Sequence, residues 1–188
     1  MLTVMQTTTM NRMQRIVIVG PTGSGKTTLA DQLGQQLNLP VTDLDTLHWK
    51  PNWQEAPAEE FRARIAAVSE GDQWIISGNY SKARDLLWTR ADTLIWLDYP
   101  LWIVLPRLFR RTVKRIITQE DLWGTGNRES WRKQFFSRES LFLWMLQSQP
   151  RHRRTYPALL AQPEYAHLRV LRFQYPSQTR GWLTELNR

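Results

Sequence analysis

The sequence predicts an α/β protein in three layers, with helices on both faces of a parallel sheet. Short apolar strands alternate with helical segments along the chain, which is typical of such sheets. A length of 188 residues suits one domain with a sizeable core and is short for two. The proportions of 41% hydrophobic and 22% charged residues are those of an ordinary globular protein. We therefore expect one domain over residues 15–188, after a ragged tail over residues 1–14.

Four strands are predicted in the first half of the chain, at residues 15–20, 40–45, 73–78 and 92–100. The first of them, RIVIVG, is a β-branched run that ends in glycine, the pattern of a strand buried on both faces. Three helices alternate with these strands, at residues 26–37, 56–71 and 81–90. In the first helix Leu29, Leu33 and Leu37 are spaced by four, so they form one apolar stripe that packs on the sheet.

The second half of the chain is predicted to be mostly helical. A long helix is expected over residues 100–117, kinked or restarted at Pro106. A polar connector follows at residues 118–130, and then a basic Trp-rich helix that extends to about Ser148. A third helix starts at Pro150, a fifth strand lies at residues 167–176, and a final helix lies at residues 177–186.

The net charge of +8 is concentrated in the second half, because residues 101–188 contain 16 Lys and Arg against 6 Asp and Glu. Such an excess predicts a polyanionic partner, which leaves nucleotide phosphates, nucleic acid and an anionic membrane surface open. No run of about 18 apolar residues occurs, so we expect no membrane span. The first residues lack the features of a secretory signal. The absence of cysteine excludes disulfides and thiolate chemistry and favours a cytoplasmic protein.

The stretch GPTGSGKT matches the pattern G-x-x-x-x-G-K-[ST] with Gly20, Gly25, Lys26 and Thr27, between a predicted strand and a predicted helix. In this motif main-chain N–H groups curl around phosphate oxygens, the lysine reaches the β- and γ-phosphates and the threonine hydroxyl holds Mg²⁺. The expected nucleotide-binding residues are Gly20, Thr22, Gly23, Ser24, Gly25, Lys26, Thr27 and Thr28. The alternative is a glycine-rich turn that binds nothing. Since no N-K-x-D motif for reading guanine occurs, ATP is favoured over GTP.

Two aspartates follow in the predicted second strand. If the strand ends at Asp45, then Asp43 and Asp45 point to the same side, at the carboxyl edge where open α/β sheets bind ligands. A carboxylate there orients a hydroxyl for attack on the γ-phosphate or holds a water molecule on Mg²⁺. A solvated strand end or a helix cap is the alternative for either residue.

Aromatic residues follow the two aspartates. His48, Trp49 and Trp53 are expected in a loop, where their rings wall an acceptor or pack in the core.

The end of the third strand carries Ser77 where many enzymes with this motif have an acidic residue. A serine can hydrogen-bond a metal-bound water but brings no charge, so Asp43 or Asp45 would supply it. Asp98, at the end of the fourth strand, is the other candidate, and it is equally suited to capping the next helix.

The predicted helix over residues 100–117 has a cationic face. One side carries Leu105, Leu108, Phe109, Val113, Ile116 and Ile117, and the other carries Arg107, Arg110, Arg111, Lys114 and Arg115. Like charges this close repel one another, so the cationic face is expected to meet a polyanion such as a transferring phosphoryl group. A solvated face relieved by Glu120, Asp121 and Glu129, or a nucleic-acid backbone, are the alternatives.

The segments GPTGSGKTTLA, LDTLHWKPNW, WIISGNY, RADTLIWLDYP and RLFRRT, in this order and spacing, resemble the bacterial FlaR-like proteins, often labelled DNA topology modulation proteins. These are grouped with the adenylate kinase-like and shikimate kinase-like P-loop NTPases. The resemblance covers nearly the whole chain from Arg15. It implies a five-stranded parallel sheet of order 2-3-1-4-5, an acceptor-binding segment over residues 46–70 and an arginine-bearing lid over residues 115–140.

The resemblance also implies roles for individual residues. Arg107 and Arg111 have the spacing of two arginines that contact the adenine ring and the phosphates in adenylate kinase-like enzymes. Asp43 and Asp45 match a D-x-D element that positions a magnesium water and the acceptor hydroxyl. Residues expected to bind the acceptor are Asp45, His48, Trp49, Trp53, Gly78, Asn79 and Tyr80. Ser77 departs from the family, which commonly has aspartate before G-N-Y.

The function predicted from these residues is Mg²⁺- and ATP-dependent phosphoryl transfer to a small or nucleotide-like acceptor. The residues expected to take part in catalysis are Lys26, Asp45, Arg107, Arg111 and Arg115, and those expected to hold Mg²⁺ are Thr27 and Asp43. The alternatives are a nucleic-acid-associated ATPase or regulator and a nucleotide-binding protein with degraded catalysis.

Overall fold

A five-stranded parallel sheet forms the centre of the computed structural model, which describes residues 13–136 and 140–186. Its strands are β1 (Arg15–Val19), β2 (Val41–Asp43), β5 (Trp74–Ser77), β6 (Thr93–Leu97) and β7 (Arg169–Phe173). They lie in the order β2-β5-β1-β6-β7, so that Val17 of the central strand pairs with Ile76 on one side and with Leu94 on the other. In chain order this is 2-3-1-4-5, which confirms the predicted topology. A separate antiparallel hairpin joins β3 (Trp49–Lys50) and β4 (Gln54–Glu55).

Eight α-helices occur within the described residues: α1 (Lys26–Leu37), α2 (Leu44–His48), α3 (Ala58–Val68), α4 (Arg84–Trp88), α5 (Leu101–Thr118), α6 (Trp131–Phe136), α7 (Leu141–Leu160) and α8 (Pro176–Leu186). Short 3-10 turns lie at Pro51–Trp53, Ser81–Ala83 and Pro163–Tyr165. Within these ranges none of the helices has both the length and the apolar composition that crossing a membrane requires.

The core lies on both faces of the sheet, because alternate side chains of each buried strand point to opposite sides. Ile16 and Ile18 of β1 pack with α1 and α5 on one face, whereas Val17 and Val19 pack with α3 and α4 on the other. The predicted three-layer arrangement is therefore confirmed. Of the predicted tail only residues 13 and 14 are described. Met13 is buried on the face of the sheet that packs with α1 and α5.

The second strand is shorter than predicted. It ends at Asp43, and Asp45 lies in the first turn of α2. The carboxylate of Asp43 accepts a hydrogen bond from the main-chain N–H of Asp45 at 3.0 Å, which makes Asp43 the N-cap of that helix. Aspartate competes well for free N–H groups at a helix start, so the local capping contact ends the strand two residues early.

Helix α7 is continuous through Pro150, so the predicted break between Ser148 and Pro150 is wrong. A proline inside a helix removes one main-chain hydrogen bond. Here Met145 and Gln149 before the proline and Tyr156 after it are buried on the same side, and the Gln149 side chain donates a hydrogen bond to the carbonyl of Tyr99. Packing of this face outweighs the single lost bond. Residues 137–139 of the predicted Trp-rich helix lie outside the described residues.

Helix α5 buries a different stripe from the predicted one. Its buried residues are Val104, Leu108, Thr112 and Ile116, each four positions apart. Phe109 and Ile117, which were predicted on the apolar face, are 49% and 71% exposed. The helix runs through Pro106 without restarting. The strict spacing of four places the whole stripe along one line of the helix, which lies against the sheet and the phosphate-binding loop.

Asp98 at the end of β6 holds together three elements of the fold. Its carboxylate is 1% exposed and accepts hydrogen bonds from Arg153 of α7 at 2.6 Å and from Arg172 of β7 at 2.5 and 3.0 Å. The N-cap of α5 is Pro100. The two alternatives from the sequence require Asp98 to be a helix cap or a free carboxylate near the phosphates. Asp98 is neither.

We expect the substitution Asp98→Asn to lower the free energy of unfolding by roughly 2 kcal/mol, because an amide cannot accept from two guanidinium groups with a full negative charge. The measurement is urea denaturation of the two proteins. Asp31→Asn, an exposed change of the same chemistry, serves as the control and should stay within about 0.5 kcal/mol of the wild type. Equal urea midpoints for Asp98→Asn and Asp31→Asn would show that water screens the pairs of Asp98 with Arg153 and with Arg172.

Candidate functional site

The loop between β1 and α1 has the backbone conformation of a phosphate-binding cradle. Gly23 has φ of 83°, and a Cβ added there would meet Leu108 at 3.1 Å and the carbonyl of Val104 at 3.2 Å. A side chain is therefore excluded by both the left-handed backbone and the close approach of α5. Gly20 is equally confined, since its Cβ would lie 2.7 Å from the carbonyl of Leu97. The free N–H groups at the start of α1 point towards the space that this loop encloses.

The other nucleotide-binding candidates occupy this loop or the first turn of α1. Thr22 is half-buried, Ser24 is buried, and Gly25, Thr27 and Thr28 are exposed. The main-chain N–H of Ser24 donates to the carbonyl of Pro21 at 3.1 Å, which closes the tip of the loop. Within the described residues the Ser24 hydroxyl has no hydrogen-bond partner. The motif residues are therefore gathered in one cradle at the carboxyl end of β1.

Lys26 lies across the mouth of the cradle. Its Nζ donates hydrogen bonds to the carbonyl of Gly20 at 3.0 Å and, more weakly, to that of Pro21 at 3.3 Å. Burial lowers the pKa of Lys26, and the guanidinium of Arg111 adds to this, while Asp45 and Asp43 oppose it. The ammonium group is therefore a desolvated cation next to two carboxylates. Such a charge interacts strongly with any phosphate that replaces the two carbonyls as its partner.

Thr27 and Asp43 meet at the edge of the cradle. The Thr27 hydroxyl donates to Oδ2 of Asp43 at 2.7 Å, while Oδ1 of the same carboxylate caps α2. A hydroxyl and a carboxylate at this separation fit Mg²⁺, which takes one or two protein oxygens and completes its shell with phosphate and water. The described residues contain no group of three His, Cys, Asp or Glu that could hold a metal by themselves.

Asp45 lies between Lys26 and Tyr80. The Tyr80 hydroxyl donates to Oδ1 of Asp45 at 2.6 Å. Burial raises the pKa of Asp45, as does the nearby carboxylate of Asp43; the hydrogen bond from Tyr80 and the charges of Lys26 and Arg111 act in the opposite direction. A carboxyl whose pKa is raised is a better proton acceptor once ionised, which suits a group that takes a proton from a hydroxyl.

The buried serine at the end of β5 lies beside one of these carboxylates. Ser77 is fully buried, pairs in register with Asp43 of β2, and has a hydroxyl without a hydrogen-bond partner in the described part of the chain. The charge that Ser77 lacks is therefore present one strand away, on Asp43. That an aspartate of the second strand supplies this charge to a metal-bound water stays a prediction.

The polar groups of the G-N-Y element contact the protein itself. The Asn79 amide accepts from the N–H of Gly20 at 2.9 Å and donates to the carbonyl of Gly20. The Tyr80 hydroxyl is bonded to Asp45. The N–H of Gly78 donates to the carbonyl of Ile18 at 3.0 Å. Asn79 and Tyr80, which were predicted to contact the acceptor, thus connect the phosphate cradle to Asp45.

Aromatic rings line the side of the site next to Asp45. His48 is buried among Trp49, Phe61 and Tyr80, with ring centroids at 4.9, 5.0 and 4.6 Å, and Trp53 follows at 5.5 Å from Trp49. Burial lowers the pKa of His48, against the opposing charge of Glu55, so the imidazole is neutral at physiological pH. Of the two alternatives from the sequence, packing in the core is the one that describes His48. Instead of a loop, these residues form the end of α2, the β3–β4 hairpin and a 3-10 turn.

The connector after α5 is attached to this hairpin. The Asn127 side chain is 2% exposed; it accepts from the N–H of Trp53 at 2.8 Å and donates to the carbonyl of Lys50 at 2.9 Å. The rings of Trp53 and Trp123 meet edge to face with centroids 6.0 Å apart. Both tryptophans have φ near +60°, a conformation that bulky side chains avoid. No pattern in the sequence indicates Asn127, because its partners are main-chain atoms 74 to 77 residues away.

The cationic face of α5 is divided between the site and the solvent. Arg111 and Arg115 are half-buried, and Arg107, Arg110 and Lys114 are exposed. Burial lowers the pKa of Arg111, as does Arg115, while Glu129, Asp45 and Asp43 raise it. Arg115 pairs with the buried Glu129 at 3.3 Å and with Glu120 at 3.5 Å. Arg107 lies 5.9 Å from the ring of Tyr99, on the solvent side of the helix.

A histidine that the sequence did not single out also faces this region. His152 of α7 is buried and stacks on Tyr156 at 4.8 Å and 25°. Burial lowers its pKa to about 4, and the charges of Arg151, Arg84 and Lys26 contribute to this shift. The imidazole is therefore uncharged at physiological pH. A lone histidine in a helix gives no sequence signal for such a contact.

Comparison with known proteins places this geometry in a family. A family model described as ABC transporter matches residues 5–134. Threonine synthase-like 1 of Mus musculus is 26% identical over 132 residues, which cover 62% of this chain and 17% of that protein. The same protein of Pongo abelii is 24% identical over 140 residues, covering 66% and 19%. The chain thus spans less than a fifth of the length of these curated relatives.

Solved structures share the fold over almost the whole chain. Shikimate kinase from Acinetobacter baumannii, in complex with shikimate, is 14% identical with a TM-score of 0.54, covering 95% of this chain and 93% of that one. Shikimate kinase from Bacteroides thetaiotaomicron is 18% identical with a TM-score of 0.51, covering 92% and 96%. A gluconokinase from Sinorhizobium meliloti is 14% identical with a TM-score of 0.50, covering 93% and 90%.

These likenesses show a kinase-like P-loop fold and leave the finer FlaR-like assignment a prediction. The family match spans more than half of the chain and includes the phosphate cradle, Asp43, Asp45 and the whole connector after α5. The chain therefore belongs to the P-loop NTPase family that the ABC transporter model describes.

Proposed function

We propose that the protein is a Mg²⁺- and ATP-dependent phosphotransferase that moves the γ-phosphoryl group of ATP to a hydroxyl of a small acceptor. The kinase-like fold supports the class of reaction. The observation that carries the proposal is the second carboxylate, Asp45, held by Tyr80 beside Lys26 and the Thr27–Asp43 pair. In P-loop enzymes a residue beside the γ-phosphate orients the attacking nucleophile, and the carboxylate of Asp45 is suited to accept the proton of an acceptor hydroxyl.

The cradle and its neighbours would bind the nucleotide. Main-chain N–H groups of the cradle and Nζ of Lys26 would bind the phosphates, and Arg107 would lie nearest the adenine ring. Thr27 and Asp43 would hold Mg²⁺, which supplies neutralising charge to the phosphates. Arg111 and Arg115, on the buried side of α5, would stabilise the charge of the transferring group.

In the transfer step the acceptor hydroxyl attacks the γ-phosphorus, and its proton passes to the carboxylate of Asp45. The new bond joins the acceptor oxygen to phosphorus as the bond to the β-phosphate oxygen breaks, leaving ADP. Asp45 is suited to this step because its raised pKa brings it closer to that of the proton donor, while Tyr80 fixes one of its oxygens.

The acceptor would bind between Asp45 and the aromatic wall of His48, Trp49 and Trp53. We assign residues 46–70 as the acceptor-binding segment and residues 115–140 as a lid, within a single domain that starts at residue 15. The contact of Asn127 with the hairpin supports this assignment, because it joins the two segments over the site. Closure there would exclude water and limit hydrolysis. The shikimate kinases and the gluconokinase that share the fold favour hydroxy acids and sugars as first acceptors to test.

A second function is favoured by the exposed half of the cationic face. Arg110 and Lys114 point to solvent on the same helix as Arg107, as expected for contacts with a nucleic-acid backbone. A protein of this kind would use ATP to move the lid rather than to phosphorylate an acceptor. Duplex binding that weakens steeply as salt rises would support it.

The test of the proposed function is ADP formation with Mg-ATP and a panel of hydroxy acids, sugars, nucleosides and nucleoside monophosphates, with hydrolysis in water as the baseline. We expect at least one acceptor to raise the rate of ADP formation at least about tenfold over hydrolysis, with the phosphorylated product detected by mass spectrometry. ADP formation that is the same with every acceptor and without any would show an ATPase instead. Binding of ATP without any ADP formation would show a protein with degraded catalysis.

A further inference from the structure

We propose that Asn79 and Tyr80 form a positioning pair, which fixes the phosphate cradle and the carboxylate of Asp45 relative to each other. This inference rests on the proposed phosphotransfer for the role of Asp45. The two residues are consecutive, so one peptide unit at the end of β5 connects the part of the site that binds phosphate to the part that takes the proton.

Asn79 holds the first residue of the cradle by both of its main-chain groups. Its Oδ1 accepts from the N–H of Gly20 at 2.9 Å, and its Nδ2 donates to the carbonyl of Gly20. The same carbonyl accepts from Nζ of Lys26 at 3.0 Å. Two hydrogen bonds to one residue set both the position and the orientation of its peptide groups. Asn79 therefore fixes the position of Gly20, the first residue of the cradle, and of the carbonyl to which Lys26 donates.

Tyr80 holds the carboxylate on the other side. Its hydroxyl donates to Oδ1 of Asp45 at 2.6 Å, and its ring packs against His48 and Phe61 with centroids at 4.6 and 4.9 Å. Burial, together with the charge of Asp45, raises the pKa of Tyr80 far above its usual range, so the hydroxyl keeps its proton. It can act only as a donor to the carboxylate. In the described part of the chain Oδ2 of Asp45 has no such donor, which leaves that oxygen for an acceptor.

Gly78 brings the pair into place. A Cβ at this residue would lie 2.8 Å from the Cβ of Leu44, the neighbour of Asp45 in the first turn of α2. The N–H of Gly78 continues the β1–β5 pairing by donating to Ile18. Without a side chain at residue 78 the end of β5 can lie against α2 and still reach the cradle. All three residues of the element thus serve the same geometry.

Tyr80→Phe tests the contact to Asp45, since it removes the hydroxyl and keeps the ring. We expect kcat to fall about tenfold with the KM for ATP unchanged, because one oriented hydrogen bond to the base is lost. Tyr99→Phe is the matched control: its buried hydroxyl bonds Thr179, outside the site, and kcat should stay as in the wild type.

Asn79→Ala tests the contact to Gly20 by a readout that does not need turnover. We expect the Kd of ADP, measured by titration calorimetry, to rise about tenfold, because the first peptide of the cradle loses two hydrogen bonds. Asn79→Asp keeps the acceptor for the Gly20 N–H and loses the donor to its carbonyl, so ADP affinity should again fall. Circular dichroism melting of each variant separates loss of the contact from loss of the fold.

The two proposals fail in different ways. A wild-type protein that phosphorylates no acceptor contradicts the proposed function, yet the ADP affinities of the Asn79 variants still decide the cradle half of this inference. A wild-type protein that transfers phosphate, together with a folded Tyr80→Phe variant of unchanged kcat, overturns the Asp45 half. Unchanged ADP affinity in a folded Asn79→Ala variant overturns the cradle half.

Discussion

Replacing Lys26 with alanine should abolish phosphotransfer and leave the fold intact. The ammonium group is the cation that lies across the cradle, and it donates hydrogen bonds to the carbonyls of Gly20 and Pro21. In a bound complex it would move to the phosphates, where a desolvated charge stabilises the transition state more than an exposed one. We expect kcat/KM to fall by about 10³-fold or more, as for the loss of a main transition-state contact. Since Lys26 opens α1 and alanine favours helices, unfolding should change little.

The matched control is Lys82→Ala, which removes the same charge from an exposed side chain in the Ser81–Ala83 turn. Its rate of ADP formation should equal that of the wild type. Thermal unfolding of both variants, followed by circular dichroism, checks the fold. A folded Lys26→Ala variant with full activity would refute the assignment of the cradle as the nucleotide site.

The first strand and the cradle were predictable from local patterns in the sequence, whereas the order of the strands was predicted from the resemblance to the FlaR-like proteins. β1 is a buried β-branched run followed at fixed spacing by Gly20, Gly25 and Lys26, and the apolar stripe of α1 follows directly. The end of β2 was not predictable in the same way. Whether Asp43 continues a strand or caps a helix depends on the geometry of two residues, and both outcomes fit the same letters.

The break predicted at Pro150 shows the limit of local signals. Proline inside a helix is unfavourable on its own, but the buried faces of Gln149 and Tyr156 depend on a sheet that the local sequence does not contain. The same holds for α5, whose exposed Phe109 and Ile117 read as core residues in the sequence. Tertiary packing decides these cases against local preference.

The candidate site was partly predictable. Thr27 and Asp43, expected to share a metal, do meet, and Asp45 lies beside them. The residue types of the G-N-Y element indicated a site, but their partners could not be read from spacing, because Asn79 and Gly20 are 59 residues apart. Asn127 was missed for the same reason. A side chain that hydrogen-bonds to main-chain atoms needs no particular residue type as its partner. The sequence therefore contains no second residue that would reveal the contact.

Replacing Asp45 with asparagine should have opposite effects on activity and on stability. Asparagine cannot take a proton, so we expect phosphotransfer to fall by at least about 10²-fold, in line with the loss of a general base. The Tyr80 hydroxyl can still donate to the amide oxygen, so the local packing is kept. Because burial and the charge of Asp43 raise the pKa of Asp45, the folded protein disfavours the negative charge of this carboxylate. Removing that charge should raise the free energy of unfolding.

The sign follows from proton linkage. A carboxyl whose pKa is higher in the folded than in the unfolded protein contributes stability below its unfolded pKa, and this contribution is lost as pH rises through the folded pKa. The wild type and Asp45→Asn should therefore unfold at similar temperatures in acid, and the variant should unfold at the higher temperature at pH 8. Asp31→Asn, exposed on α1, should show no such divergence. A lower unfolding temperature for Asp45→Asn at pH 8 would mean that the attractions of Lys26, Arg111 and Tyr80 for the carboxylate exceed the cost of its burial. The site would then be built to hold Asp45 ionised at all times, which is the arrangement of a fixed charge and not that of a base that accepts a proton.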